Sequence, residues 1–91
     1  MINRKEENII TFSNTHFAIS GEKALLTAEI PVRVMGLPAQ IKAGCGLCLR
    51  VGPHMLEKAL KVLAEKEIMY EDCYLKTVDK GETTYRSCLQ K

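Results

Sequence analysis

The sequence has no tryptophan, and its three tyrosines and two phenylalanines make up only 5% of its 91 residues. A core built from this chain must be aliphatic, and it offers no evident stacking platform for bases or sugars. Neither sign of charge dominates. Thirteen basic and eleven acidic residues leave a formal charge of +2 scattered along the chain, without the basic stripe that a phosphate backbone demands. Nucleic acid is therefore not an expected partner. No apolar run approaches a bilayer span, and the stretch Met1 to Glu7 is charged, with no apolar region behind it suited to export. No membrane association is expected, and the expected location is cytoplasmic. No Ser-His-Asp pattern, catalytic carboxylate pair or phosphate-binding glycine loop can be assembled either.

What is present fits one small domain, whose single core would bury roughly two-thirds of the unfolded surface. There are four cysteines, Cys45, Cys48, Cys73 and Cys88. In a reducing compartment they serve packing, metal binding or reactivity rather than disulfides. Cys45 stands apart, because Gly44 and Gly46 flank it in Ala43-Gly44-Cys45-Gly46-Leu47-Cys48-Leu49-Arg50. Two glycines strip away side-chain bulk beside the sulfur and open it to a partner. They also suit a plain tight turn in which Cys45 is a small turn residue.

Taken in order, residues 1–7 read as a solvated lead-in to a domain at 8–78. Asn8 to Phe12 is β-branched and aromatic, as in a strand. Ser13 and Asn14 are candidate N-caps for a helix from Thr15 to about Glu29, whose inner stripe is Ala18, Gly21, Leu25 and Ala28. Gly21 on that stripe suggests close approach to a sheet, and Pro31 stops the helix.

Pro31 to Met35 and Leu47 to Val51 alternate as strands, the second with Leu47, Leu49 and Val51 inward and Cys48 and Arg50 outward. Gly52-Pro53 opens a second helix with Leu56, Ala59, Leu60 and Leu63 on its buried stripe. Cys73 to Val78 reads as a last strand. Asp79-Lys80-Gly81 is a turn signal, after which 79–91 forms a hairpin extension or a loose tail.

Strand, helix, strand, strand, helix, strand is the order of a ferredoxin-like α+β sandwich, a four-stranded antiparallel sheet with two helices on one face. Its open face, carrying Arg33, Cys48 and Arg50, would be free for a second copy or a partner protein. In that topology the loop ending at Cys45 lies at the same end as the N-terminus of the first helix, beside Ser13, Asn14, Thr15 and His16. Unpaired amide hydrogens and a partial positive charge gather there, so Cys45 is expected to react as a thiolate, with His16 as a candidate proton shuttle. Cys48 completes a C-x-x-C spacing and is a candidate resolving thiol, although it enters a strand rather than a helix. A metal site on Cys45 and Cys48 is a rival reading, and a non-catalytic interaction module using the open face is another. No cofactor or bound metal is expected. Cys73 and Cys88 read as structural or incidental.

These residues resemble the selenium/sulfur carrier protein-like family of small bacterial and archaeal proteins. The resemblance rests on Phe12-Ser13-Asn14-Thr15-His16, Glu22-Lys23, Ile30-Pro31-Val32-Arg33 and Gly44-Cys45-Gly46-Leu47, followed by Leu49-Arg50. It covers residues 9 to 77. It implies a carrier or accessory protein rather than a stand-alone enzyme, with Cys45 holding a persulfide or selenopersulfide for transfer between donor and acceptor proteins, a TusA-like sulfur carrier among them. Asn14 stands where a serine is common in the family, Ala39 where an arginine is common, and Lys42-Ala43 where two hydroxyl residues are usual. Lys42 would then add positive charge near the sulfur.

Overall fold

The computed structural model describes residues 5–42 and 44–88, so positions 1–4 of the expected lead-in, Ala43 and the tail positions 89–91 lie outside the described residues. The elements are β1 (Lys5–Thr11), α1 (Thr15–Thr27), β2 (Val32–Gly36), β3 (Leu47–Val51), a 3-10 turn (Pro53–Met55), α2 (Leu56–Glu65), β4 (Asp72–Asp79) and β5 (Glu82–Ser87). They build a five-stranded sheet in the order β2-β3-β1-β4-β5, antiparallel at every pairing. The first four strands and two helices form the ferredoxin-like sandwich. β5 adds an edge strand through a two-residue turn in which Lys80 and Gly81 both have positive φ (53° and 83°), as a type I′ hairpin requires.

One aliphatic cluster holds the layers together. Ile10, Leu49 and Val51 from the sheet meet Ala18 and Leu25 of α1 and Ala59 and Leu63 of α2, with Phe12 and Ile30 closing the ends. Each large side chain fully buried in this way contributes about 2 kcal/mol. Gly21 lets α1 come close: a Cβ there would lie 3.1 Å from Leu49 Cδ1 and 3.3 Å from both Leu63 Cδ2 and Phe12 Cζ. The helix thus sits on the sheet at the expected contact point.

β1 begins at Lys5, three residues before the expected start at Asn8, because β4 is long enough to pair with it from Val78 to Asp72. The charged Lys5-Glu6-Glu7 looked solvated, yet it is strand, and Glu7 is tied to Arg50 at 3.2 Å. At the other end, α1 stops at Thr27 rather than Glu29. Glu29 turns left-handed (φ 63°), its N–H donating to the Leu26 carbonyl, while the Ile30 N–H donates to that of Leu25. α2 closes in the same way, with Glu67 at φ 57° and Ile68 bonded back to Leu63. Both are Schellman endings, with Ile30 in the core and Ile68 packed against it.

The open sheet face differs from expectation at one residue. Cys48 lies on the helix-free side, as the alternation requires, but it is fully buried, together with Ile9 and Thr11. β5 is the reason. Tyr85 projects from it onto the same face, half-buried, and its phenol is raised above the ordinary range by burial and by the nearness of Cys48 and Glu7. Arg33 remains exposed there.

Candidate functional site

The connection between β2 and β3 is closed at its base by the Leu37 N–H bonding the Gly46 carbonyl at 2.9 Å. Inside it, the Ile41 N–H bonds the Pro38 carbonyl at 3.0 Å, and Ile41, only 5% exposed, anchors the loop. Gly46 has φ +76°, a conformation that a Cβ resists. Gly44 answers a different need. A Cβ there would fall 2.8 Å from the Ser13 carbonyl oxygen and 3.3 Å from the Ser13 Cα, so its backbone lies against the residues that start α1. The loop ending in Cys45 therefore docks at the N-terminal end of α1, where the topology puts it.

At that end Asn14 is the N-cap, its Oδ1 accepting from the Phe17 N–H at 2.8 Å. The Asn14 side chain thus serves the helix. No acidic residue occupies the first turn of α1, so the positive end of its dipole is not neutralised from within the helix. Ser13, Thr15 and His16 are exposed around it. The imidazole of His16 stacks at a tilt on Phe17, with centroids 5.9 Å apart. Among the described residues no hydrogen bond joins His16 to Cys45.

Cys45 is half-buried, with one side packed against the edge of the core. The Leu47 N–H donates to its sulfur at 3.4 Å, and the thiol donates to the Leu47 carbonyl at 3.4 Å. Lys42 is exposed, and no ion pair holds it among the described residues.

Cys48 has a different character despite its spacing. Its thiol donates to the Gly36 carbonyl at 3.8 Å, and burial, then the neighbouring Cys45, push its pKa up to about 11. A resolving thiol must ionise and reach its target, and burial works against both. Among the described residues no three of His, Cys, Asp and Glu gather as a metal ligand set.

Arg33 and Arg50 face one another across β2 and β3. Glu7 balances Arg50, and with Pro31, Val32, Val51 and Gly52 these residues line an open cleft of about 230 Å³. The cleft lies at the opposite end of β3 from Cys45, so the structure does not bring the two arginines to the sulfur. His54 lies in the 3-10 turn, beyond that same far end of β3.

One residue near the loop escaped the sequence reading. Glu71 precedes β4, its N–H bonding the Thr11 carbonyl at 2.6 Å, and its Oε1 accepts from the Gly44 N–H at 3.4 Å. The signal was available. Once β4 pairs with β1, the residue before β4 must lie at the α1 end of the sheet, beside the cysteine loop.

No helix among the described residues is long and apolar enough to cross a membrane. Comparison with curated proteins and with solved structures found no match. The family model described as "Putative Se/S carrier protein-like" matches residues 7–75, which include every element from β1 to the first half of β4 except the lead residues of β1. The chain belongs to that Se/S carrier-like family.

Proposed function

We propose that this protein carries sulfane sulfur, or its selenium counterpart, on Cys45 and passes it between partner proteins. The observation that carries the reading is the seating of Gly44 against Ser13, which sets the loop bearing the half-buried Cys45 beside the start of a helix whose first turn holds no acidic residue. In loading, the Cys45 thiolate attacks the outer sulfur of a donor persulfide. The new Cys45 Sγ–S bond forms, the donor's S–S bond breaks, and the donor cysteine leaves as a thiolate. In unloading, an acceptor thiolate attacks the terminal sulfur and Cys45 leaves in turn. One sulfur atom moves in each step, and no external oxidant or reductant is consumed.

Within this reading the Leu47 N–H and the helix N-terminus stabilise the anionic sulfur, and Ser13, Thr15 and His16 form the rim that a partner meets. Lys42 supplies positive charge toward an acidic partner. Arg33, with Arg50, offers a second docking point farther along the sheet. Donor and acceptor are proteins with their own reactive cysteines, a TusA-like carrier being one candidate.

The test is persulfide loading followed by intact-mass and peptide mass spectrometry. Reduced protein offered a persulfide donor gains one sulfur on the peptide containing Cys45, and Cys45→Ser gains none there. Uptake that is unchanged in Cys45→Ser overturns the reading.

A further inference from the structure

Cys73 and Cys88, fifteen positions apart in sequence, are neighbours across the hairpin. The register that pairs Tyr74 with Ser87 places them directly opposite one another at its next step, and the Cys88 N–H donates to the Cys73 carbonyl at 2.8 Å. Directly opposed residues of antiparallel strands have Cα atoms about 4.5 to 5.5 Å apart. That separation is inside the range a disulfide spans without moving the backbone. Both side chains leave the sheet on the helix side, the face shared by Ile10 and Asn8. Asn8, only 3% exposed, fixes the arrangement by donating from Nδ2 to Cys88 Sγ at 3.0 Å and to the Tyr74 carbonyl at 3.3 Å. Cys73 is fully buried, whereas Cys88 is half-exposed.

We propose that Cys73 and Cys88 form a redox-active dithiol, distinct from Cys45, whose substrate is a small-molecule disulfide. Its oxidised product is an intramolecular cross-strand disulfide closing the β4–β5 hairpin at the end opposite the Lys80-Gly81 turn. The accessible sulfur reacts first. Cys88 loses its proton to solvent and attacks one sulfur of the small disulfide, whose S–S bond breaks to release one thiolate and leave a mixed disulfide on Cys88. Cys73 then gives up its proton and attacks Cys88 Sγ, forming the Cys73–Cys88 bond and expelling the second small thiolate. Two protein thiols lose two electrons and two protons, and one small disulfide becomes two thiols. Burial, together with the contact to Cys88, raises the pKa of Cys73, so the second step is the slower one and quickens toward alkaline pH.

The pair has a structural consequence. Cys88 lies beyond the span matched by the family model, in the hairpin that this chain adds to the sandwich. Oxidation would fix β5 against β4 while leaving the Cys45 loop untouched.

The experiment uses the full-length chain, reduced and then exposed to oxidised glutathione, with remaining thiols alkylated after denaturation and the protein digested with trypsin. The expected product has the peptides 67–76 and 87–91 joined through Cys73 and Cys88. The intact mass should fall by two hydrogens, and the link should form equally in Cys45→Ser and not in Cys88→Ser. Recovery of Cys88 as its glutathione adduct with Cys73 alkylated overturns the proposal. So does recovery of both thiols alkylated, or a link that requires Cys45.

Discussion

Cys45 and Cys48 are three positions apart in the chain, yet they occupy opposite chemical settings. Cys45 is half-buried at a loop rim, its sulfur in reach of a backbone N–H and its loop seated on the start of α1. Cys48 has entered β3, turned to the other face of the sheet, and is covered completely. The left-handed Gly46 and the strand alternation after it separate the two. A C-x-x-C spacing therefore carries little meaning until the backbone between the cysteines is known. On a helix it would aim both sulfurs one way, whereas across a loop-to-strand junction it sends them apart.

The strongest way to break this contrast is to measure the two thiols side by side. Near neutral pH, raising a thiol from 9.0 to about 11 lowers its thiolate fraction roughly 100-fold, before any loss of access is counted. Iodoacetamide should therefore label Cys48 at least about 100-fold more slowly in the folded protein than once it is unfolded, and far more slowly than Cys45 while folded. Peptide mass spectrometry over a time course reads the ratio directly. Folded-state rates within tenfold of each other would mean that Cys48 is not sealed.

Stability at alkaline pH gives a second handle, with the sign set by burial. Unfolded Cys48 ionises near 9.0 and folded Cys48 at about 11, so between those values the folded state keeps a proton that the unfolded chain has released. The stabilisation is complete below the unfolded value and is lost as pH rises through the folded one. By about pH 10.5 the loss reaches roughly 2 kcal/mol. Cys73, shifted the same way by burial, adds to it. In urea titrations at about pH 8 and pH 10.5, Cys48→Ala should lose less stability between the two pH values than the parent protein does. Equal slopes would remove Cys48 from the account.

The contrast also shows how far the sequence reached. Alternation placed Leu49 and Val51 inward and Cys48 on the helix-free side, and the order of elements placed the Gly44-Cys45 loop beside Ser13. What alternation could not supply was the cover. A strand reading ends at the sheet surface, whereas Cys48 and Ile9 on that surface are fully buried. Glu71 and the Cys73–Cys88 pairing were hidden for a related reason. Both depend on the β1–β4 and β4–β5 registers, which pair residues far apart along the chain. The helix ends were closer to hand. Leu25 through Ile30 and Leu63 through Ile68 share the pattern of a leucine followed four and five positions later by glutamate and isoleucine, and each closes with the glutamate left-handed.

The two glycines beside Cys45 sharpen the comparison further, because they do different work. Gly44→Ala places a Cβ 2.8 Å from the Ser13 carbonyl oxygen, so the loop must lift from α1. Sulfur retention on Cys45 should fall on the order of tenfold, as small displacements at a reacting atom often cost that much or more. Gly46→Ala meets no neighbour but must hold φ +76°, a strain of roughly 1 kcal/mol that shows chiefly in unfolding. Gly52→Ala, in open space without positive φ, serves as the control and should change stability by less than about 0.5 kcal/mol. Persulfide retention and urea midpoints measured on the three variants separate docking from strain. Equal retention in Gly44→Ala and Gly52→Ala would show that contact with Ser13 is not what holds the sulfur in place.

The smallest effect concerns Glu71, whose carboxylate accepts from the Gly44 N–H at 3.4 Å. It has two consequences of opposite sign. As an acceptor it steadies the loop, and as a negative charge it opposes a second anion on the adjacent Cys45. In exposed surroundings a charge at this range is worth well under 1 kcal/mol, and a neutral amide can still accept the Gly44 hydrogen bond. Glu71→Gln should therefore speed Cys45 alkylation about two- to threefold at low salt, with the gain shrinking as salt is added. The Cys48 rate should not change, because that thiol is limited by burial. Slower Cys45 labelling in Glu71→Gln would instead mean that the carboxylate acts mainly as a clamp on the loop. The salt titration separates these outcomes, since a lost clamp does not depend on ionic strength and a removed repulsion does.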